Sequence, residues 1–274
     1  MSGGAKAGIG GIGAIIIALI ISFLGGGDLS SVLQNVGEMG GAMGGGQVAQ
    51  QREFTPEEQE LAAFSKKILA GTEDVWAQIF QENGLGQYKN PTMVLYTGST
   101  NTGCGTGSAQ MGPFYCSADQ CLYIDLSFFS SMKQQLGADG DFAYAYVIAH
   151  EVGHHVEYLL GTLNKAHQQM SRMSDKDANR VSVRLELLAD FYAGVWANRD
   201  NRMFNSLEQG DLEKAIRCAQ VIGDDYLQKK AQGYDIPESF THGTSAQRMR
   251  WLKLGLDTGD IRYGNTFQKS DAEL

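Results

Sequence analysis

The sequence predicts an α+β domain, mostly helical with a small sheet, set behind one apolar span and a glycine-rich linker. Three observations predict it. A helix-start signature stands at residues 55–58, two β-branched and aromatic runs lie between residues 92 and 129, and the apolar period turns helical from Asp141 onward. Helix first, a short sheet next and helices last is the order of an α+β chain.

The chain has 274 residues, 43% of them hydrophobic and 19% charged, which is enough apolar material for one packed domain plus an extension. Its 35 glycines are unevenly spread, and the glycine-rich part is the N-terminal part. After a short tail at 1–7, residues 8–24 (GIGGIGAIIIALIISFL) carry no charge. As a helix they would reach roughly 25 Å, enough to cross a bilayer with help from the flanks, and this segment is read as a transmembrane anchor. A cleaved signal peptide is the competing reading, but Gly25-Gly26-Gly27 follows the span without an A-x-A cleavage site. Lys6 lies before the span and the next basic residue is Arg52, so the expected orientation is N-terminus in the cytoplasm and the bulk of the chain outside it. Residues 25–51 have too few large apolar side chains for a core and read as a flexible tether, leaving 52–274 as the folded domain.

That domain opens with Thr55-Pro56-Glu57-Glu58, where Thr55 caps, Pro56 suits the first helical position and Glu58 closes a capping box; helix is expected to about Asn83. Thr92–Tyr96 and Cys121–Phe129 are the strand candidates, and the second is a candidate edge for an extended peptide. Between them lies a glycine-rich stretch with Cys104 and Cys116, the pair expected to form a disulfide in an oxidising compartment. The cysteine spacing lacks the close pair of a thiolate zinc site. Cys218, on an amphipathic pattern, reads as a small buried hydrophobe. From Asp141 three or four helices are expected. The net charge of −9 and the absence of any clustered basic run exclude a nucleic-acid partner.

Residues 141–160 form an apolar helix containing His150-Glu151-Val152-Gly153-His154. Two imidazoles four residues apart share one helical face and can converge on one zinc ion, while Glu151 beside that face can act as general base on the ion's water. The third ligand is not where a histidine-rich pattern would put it, since Glu157 and Leu160 stand three and six residues after His154. Residues 181–196 make another apolar helix broken by Glu186 and Asp190, four apart. Glu186 is the candidate third ligand and Asp190 the carboxylate for the far nitrogen of a ligand histidine. Asp125 is a weaker rival, and pairing of Glu186 with Arg180 or Arg184 is the bland alternative. His242, just before a helix that Thr244 or Ser245 could cap, is a candidate for stabilising the oxyanion, with Arg248 to assist or orient it. His155 points away from the ligand face and reads as solvent-facing or supporting; His167 is expected to be exposed.

The stretches HEVGH and ELLAD, together with TGCGTGSAQMGPFYC, YIDLSFF and SFTHGTSAQR, resemble the glutamate-zincins and, more widely, the putative neutral zinc metallopeptidase family of membrane-anchored bacterial proteins. The resemblance covers most of the chain. It implies a zincin-like fold, zinc held by His150, His154 and Glu186, Glu151 as base, and a peptide or protein substrate. A non-proteolytic, membrane-anchored zinc-binding assembly protein is the alternative. That reading would need a fourth protein ligand, for which Asp190 or His155 is available.

Overall fold

The computed structural model describes residues 53–274. The tail at 1–7, the span at 8–24 and the linker at 25–51 lie outside the described residues. Among those described, no helix is long and apolar enough to cross a membrane.

The first helix, α1 (Pro56–Glu82), starts where the sequence says it should: Thr55 Oγ1 accepts from the Glu58 N–H, and the Glu58 carboxylate accepts from the Thr55 N–H. Its inner face buries Val75, Trp76, Ile79 and Phe80. Five strands follow: β1 (Thr92–Tyr96), β2 (Ser99–Thr102), β3 (Gly105–Ser108), β4 (Phe114–Cys116) and β5 (Cys121–Asp125). β5 is the middle of a three-stranded sheet, parallel to β1 and antiparallel to β4, while β2 and β3 form a separate hairpin. The alternation of side chains splits the sheet cleanly. Leu122 and Ile124 enter the main core, and Tyr96, Cys116 and Tyr123 form a smaller cluster on the opposite side. A disulfide joins Cys104, just before β3, to Cys116 on β4.

The strand expected over Cys121–Phe129 ends early. Asp125 turns the chain, its carboxylate accepting from the Gly98 N–H, the Ser127 N–H and the Ser127 hydroxyl, and Ser127–Ser131 is the helix α2. Because β5 is central, it has no free edge for a peptide, contrary to the sequence expectation.

Six α-helices follow, not three or four: α3 (Asp141–Leu159), α4 (Thr162–Met170), α5 (Asp175–Phe204), α6 (Asp211–Val221), α7 (Asp224–Gln232) and α8 (Ser245–Thr258). The extra breaks fall at glycines. Gly161 and Gly210, both left-handed, precede α4 and α6, and Gly233 ends α7 in the same conformation. The apolar helix α3 is buried nearly all round, which is why its periodicity carries so weak a polar face. Against it packs the thirty-residue α5. The two come close at Gly153, where an added Cβ would stand 2.9 Å from the Ala189 carbonyl oxygen. A second close crossing joins α5 to α8 through Gly194 and Gly255, since a Cβ on either would collide with the other helix's backbone. Cys218 is fully buried on α6. These two backbone-to-backbone crossings fix α3, α5 and α8 against one another, and those helices carry His150, His154, Glu186, Asp190 and Arg248 of the candidate site.

Candidate metal centre

Four residues apart on α3, His150 and His154 present their Nε2 atoms to the same carboxylate on α5: His150 Nε2 lies 3.1 Å from Glu186 Oε2 and His154 Nε2 lies 3.5 Å from Glu186 Oε1. Donor atoms of the three residues all lie within 4.8 Å of one another, a grouping that could hold a metal ion. Two nitrogens and a carboxylate are the donor chemistry that suits zinc.

Each imidazole is also fixed from behind. His150 Nδ1 is 2.8 Å from Asp190 Oδ1, and His154 Nδ1 is 2.9 Å from Glu157 Oε2. A carboxylate on Nδ1 holds the ring in the tautomer that leaves Nε2 free as a donor, and raises that nitrogen's basicity. Glu157 went unread as a site residue in the sequence, although it stands one helical turn after His154 and so on its side of the helix. Asp190 is itself clamped: Arg248 donates to it through Nε at 2.8 Å and Nη2 at 2.9 Å, and the Tyr146 hydroxyl donates at 2.6 Å. All three side chains are buried. Arg248 therefore acts behind His150, and the sequence expectation that it would assist or orient His242 is not what the geometry gives.

That second task belongs to Asp224, at the start of α7. Its Oδ2 accepts from three consecutive backbone N–H groups, those of Thr241, His242 and Gly243, and its Oδ1 is 3.2 Å from His242 Nδ1. The loop carrying His242 is thus wound around one carboxylate, leaving Nε2 without a partner among the described residues. No spacing in the sequence links residue 224 to residue 242, so only the fold reveals the pair.

Electrostatics follow from this layout. Burial disfavours a charged His150 ring, but Asp190 and Glu186 outweigh it and push its pKa up to about 9. His154 goes well up too, against its burial, through the charges of Glu186 and Glu157. For Glu186, burial works upward, yet the charges of His242 and His154 hold the carboxyl well below its usual range. Burial likewise works upward on Asp190, where Arg248 and His150 bring it to about 2. Glu157 is carried by burial to about 7 despite His154. Carboxylates that draw protons onto two imidazoles define a place that stabilises positive charge.

Glu151 differs from these groups. It is buried on α3 beside both histidines, yet its carboxylate has no hydrogen-bond partner among the described residues, and burial raises its pKa. Buried carboxylates without partners are costly to keep.

The remaining sequence candidates fall elsewhere. Asp125 is spent on the turn after β5. Arg184 reaches the Lys269 carbonyl at 2.7 Å, with further bonds to Thr266 and Asp271, and Arg180 sits near Asp177 and Asp271; neither pairs with Glu186. His155 is fully buried, not solvent-facing, donating from Nε2 to the Lys89 carbonyl and accepting the Tyr115 hydroxyl on Nδ1. It ties α3 to β4. His167 is half-buried, not exposed. With Asp190 and His155 both committed, neither can close a fourth position on the His150–His154–Glu186 group.

Fold and site together define a helical α+β protein in which the two histidines of an H-E-x-x-H stretch and a glutamate from a second helix form a group that could hold a metal ion. Over residues 1–267 the chain matches the family described as putative neutral zinc metallopeptidase, and it belongs to that family. It is 52% identical over 236 residues to the uncharacterized protein YpfJ of Escherichia coli (strain K12), covering 85% of this chain and 82% of that one. It is also 40% identical over 194 residues to the uncharacterized proteins Mb2605 of Mycobacterium bovis and Rv2575 of Mycobacterium tuberculosis, 67% of this chain and 64% of theirs. No solved structure matches.

Proposed function

We propose that this chain is a membrane-anchored zinc metallopeptidase of zincin-like fold, with His150, His154 and Glu186 as the metal ligands and Glu151 as the general base. The observation that carries the reading is the contrast among four carboxylates, three of them buried and Glu186 partly so. Glu157 and Asp190 each hold a histidine, Glu186 bridges both, and Glu151 holds nothing. A structural site has no use for that fourth acid, whereas hydrolysis needs a base within reach of an attacking water.

When bound, zinc would supply Lewis acidity and lower the pKa of a coordinated water. The chain's own residues do the rest. Glu151 takes the proton of the attacking water and returns it to the departing amine, a cycle that an unpartnered carboxylate in a water-poor setting performs without breaking an existing bond. His242, oriented by Asp224, donates from Nε2 to the oxyanion of the tetrahedral carbonyl. Asp190 and Glu157 keep both ligand rings aimed, and Arg248 with Tyr146 keeps Asp190 ionised and in place.

The anchor at 8–24 and the placement of the domain outside the cytoplasm belong to the same proposal. They are supported by the apolar, uncharged N-terminal sequence and by the Cys104–Cys116 disulfide, which suits an oxidising compartment. The test is cleavage of a denatured protein mixture by zinc-loaded full-length chain and by Glu151→Gln, with zinc per chain measured in both. Cutting by the wild type alone, at equal zinc, is the expected result. Equal zinc with no cutting by either would favour the zinc-binding assembly protein.

A further inference from the structure

Cys104, Cys116 and Cys121 gather around the turn between β4 and β5, and the proposed hydrolysis uses none of them. Cys104 and Cys116 are bonded to each other, while Cys121 is a free thiol. Cys116 closes β4, Cys121 opens β5, and the antiparallel register sets the two directly opposite one another. Two residues further along each strand, Phe114 is opposite Tyr123, and their rings stack at 5.1 Å with 14° between the planes. Side chains alternate along a strand, so the face that carries this ring stack carries both cysteines. Cys121 accordingly packs against the cluster of Tyr96, Cys116 and Tyr123.

The free thiol thus faces the disulfide across a single strand spacing. Directly opposed residues of an antiparallel pair hold their Cβ atoms roughly 4.5–5.5 Å apart, and a disulfide needs about 3.5–4.5 Å. A closure of about 1 Å would let Cys116 and Cys121 bond. The turn keeps the thiol in place: Asp119 Oδ1 accepts from the Cys121 N–H at 3.2 Å, and the thiol donates to the Asp119 carbonyl at 3.4 Å. Asp119 Oδ2 accepts from the Gly103 N–H at 2.6 Å, which pins the tip of the β2–β3 hairpin beside Cys104. Access differs between the two bonded sulfurs, since Cys116 is fully buried and Cys104 is exposed.

We propose that Cys104, Cys116 and Cys121 form an internal thiol–disulfide exchange site. The Cys121 thiolate attacks the Cys116 sulfur, and a Cys116–Cys121 bond forms as the Cys104–Cys116 bond breaks. Cys104 leaves as a thiolate and takes from solvent the proton that Cys121 gave up. One disulfide and one thiol stand on each side of the step, so no oxidant or reductant enters. What changes is the attachment of the hairpin. β2 and β3 form a sheet of their own, and the disulfide ties that hairpin covalently to β4. After exchange the tip keeps the Asp119 bond to Gly103, loses the covalent tie and presents Cys104 as an exposed thiol. Burial, and after it the Asp119 charge, raises the Cys121 thiol's pKa, so the attacking thiolate becomes abundant only toward alkaline pH.

The exchange stands apart from the peptidase reading, and its test needs neither zinc nor a substrate. Full-length chain isolated without reductant is held folded with iodoacetamide at about pH 9, above the ordinary thiol pKa of about 8.5. It is then digested without reduction and mapped by mass spectrometry. The expected products are alkylated Cys104 and a disulfide-linked Cys116–Cys121 peptide. In Cys121→Ser the Cys104 label should be lost and the Cys104–Cys116 bond kept. A second variant asks whether the new bond fits the fold. Cys104→Ser treated with glutathione disulfide should form Cys116–Cys121 and release reduced glutathione, with the circular dichroism spectrum of the wild type. Wild-type chain that labels Cys121 and never Cys104 overturns the proposal, as does a Cys104 label of equal size in Cys121→Ser. So does Cys104→Ser that folds as the wild type and holds glutathione on either cysteine without joining the two.

Discussion

Removing the Asp190 carboxylate from the metal-free protein tests whether the charge network behind His150 is organised as described. Asp190 is fully buried and takes four hydrogen bonds, two from Arg248, one from Tyr146 and one from His150. In Asp190→Ala the Arg248 guanidinium stays buried without its counter-ion, and its remaining contacts are the Ile222 carbonyl at 3.4 Å, the Tyr146 hydroxyl at 3.3 Å and His150 Nδ1 at 3.5 Å. An orphaned buried charge costs about 3–5 kcal/mol. At roughly 2–4 °C per kcal/mol for a domain of this size, the Tm should fall by on the order of 10 °C. Thermal unfolding followed by circular dichroism in a chelator measures this without any contribution from metal. The double variant Asp190→Ala with Arg248→Met removes both charges and should recover much of the loss, because the penalty comes from the unpaired ion more than from the missing pair. A single variant with wild-type Tm, or a double variant no better than the single, would refute the buried-charge account.

Other perturbations probe different parts of the account. Glu157→Ala should weaken zinc binding by about 10–100-fold, as loss of a carboxylate behind a ligand histidine does, measured by competition against a chromogenic chelator; unchanged affinity would show that His154 needs no such support. Gly153→Ala should cost about 1–3 kcal/mol and lower zinc occupancy, because its Cβ meets the Ala189 backbone where the two ligand-bearing helices touch. Full stability with full occupancy would argue that the crossing is looser than described. Asp200 is buried beside Gly71, and burial raises its pKa despite its bond from Ser206. A raised folded-state carboxyl destabilises the ionised form, so stability should fall as pH climbs from the unfolded value of 3.8 through the folded one. Asp200→Asn should flatten that limb and raise the Tm at pH 7, and a steeper limb or a lower Tm would reverse the sign of the argument.

How much of this was legible in the sequence depends on whether the cue was local. The capping box at Thr55, the strands at 92–96 and from Cys121, and the helices carrying His150 and Glu186 are set by spacings within a few residues, and the structure has them. The strand end at Asp125 was hidden because Leu126, Phe128 and Phe129 are as apolar as a strand should be, while the turn is made by one carboxylate reaching the Gly98 backbone. Helix number was undercounted where single glycines break the chain, since a break needs a left-handed residue and leaves the apolar period little changed. Within the site, ligand candidates could be chosen by helical face. What lies behind them could not. Asp224 meets His242, and Arg248 meets Asp190, only through the packing of α5, α7 and α8, and a one-dimensional reading sent Arg248 to the wrong partner. For His155 the sequence left solvent-facing and supporting roles both open, and only its partners Tyr115 and Lys89, from the strand side of the fold, decide for the supporting one.

The central claim is a catalytic centre of three protein ligands with an open position faced by Glu151. The most direct measurement is an anomalous difference map collected at the zinc edge from crystals of the zinc-loaded chain. The account predicts one strong peak bonded by His150 Nε2, His154 Nε2 and a Glu186 oxygen, with no fourth protein ligand and the Glu151 carboxylate facing the open side. A peak absent from this group, or one closed by a fourth side chain, would contradict it.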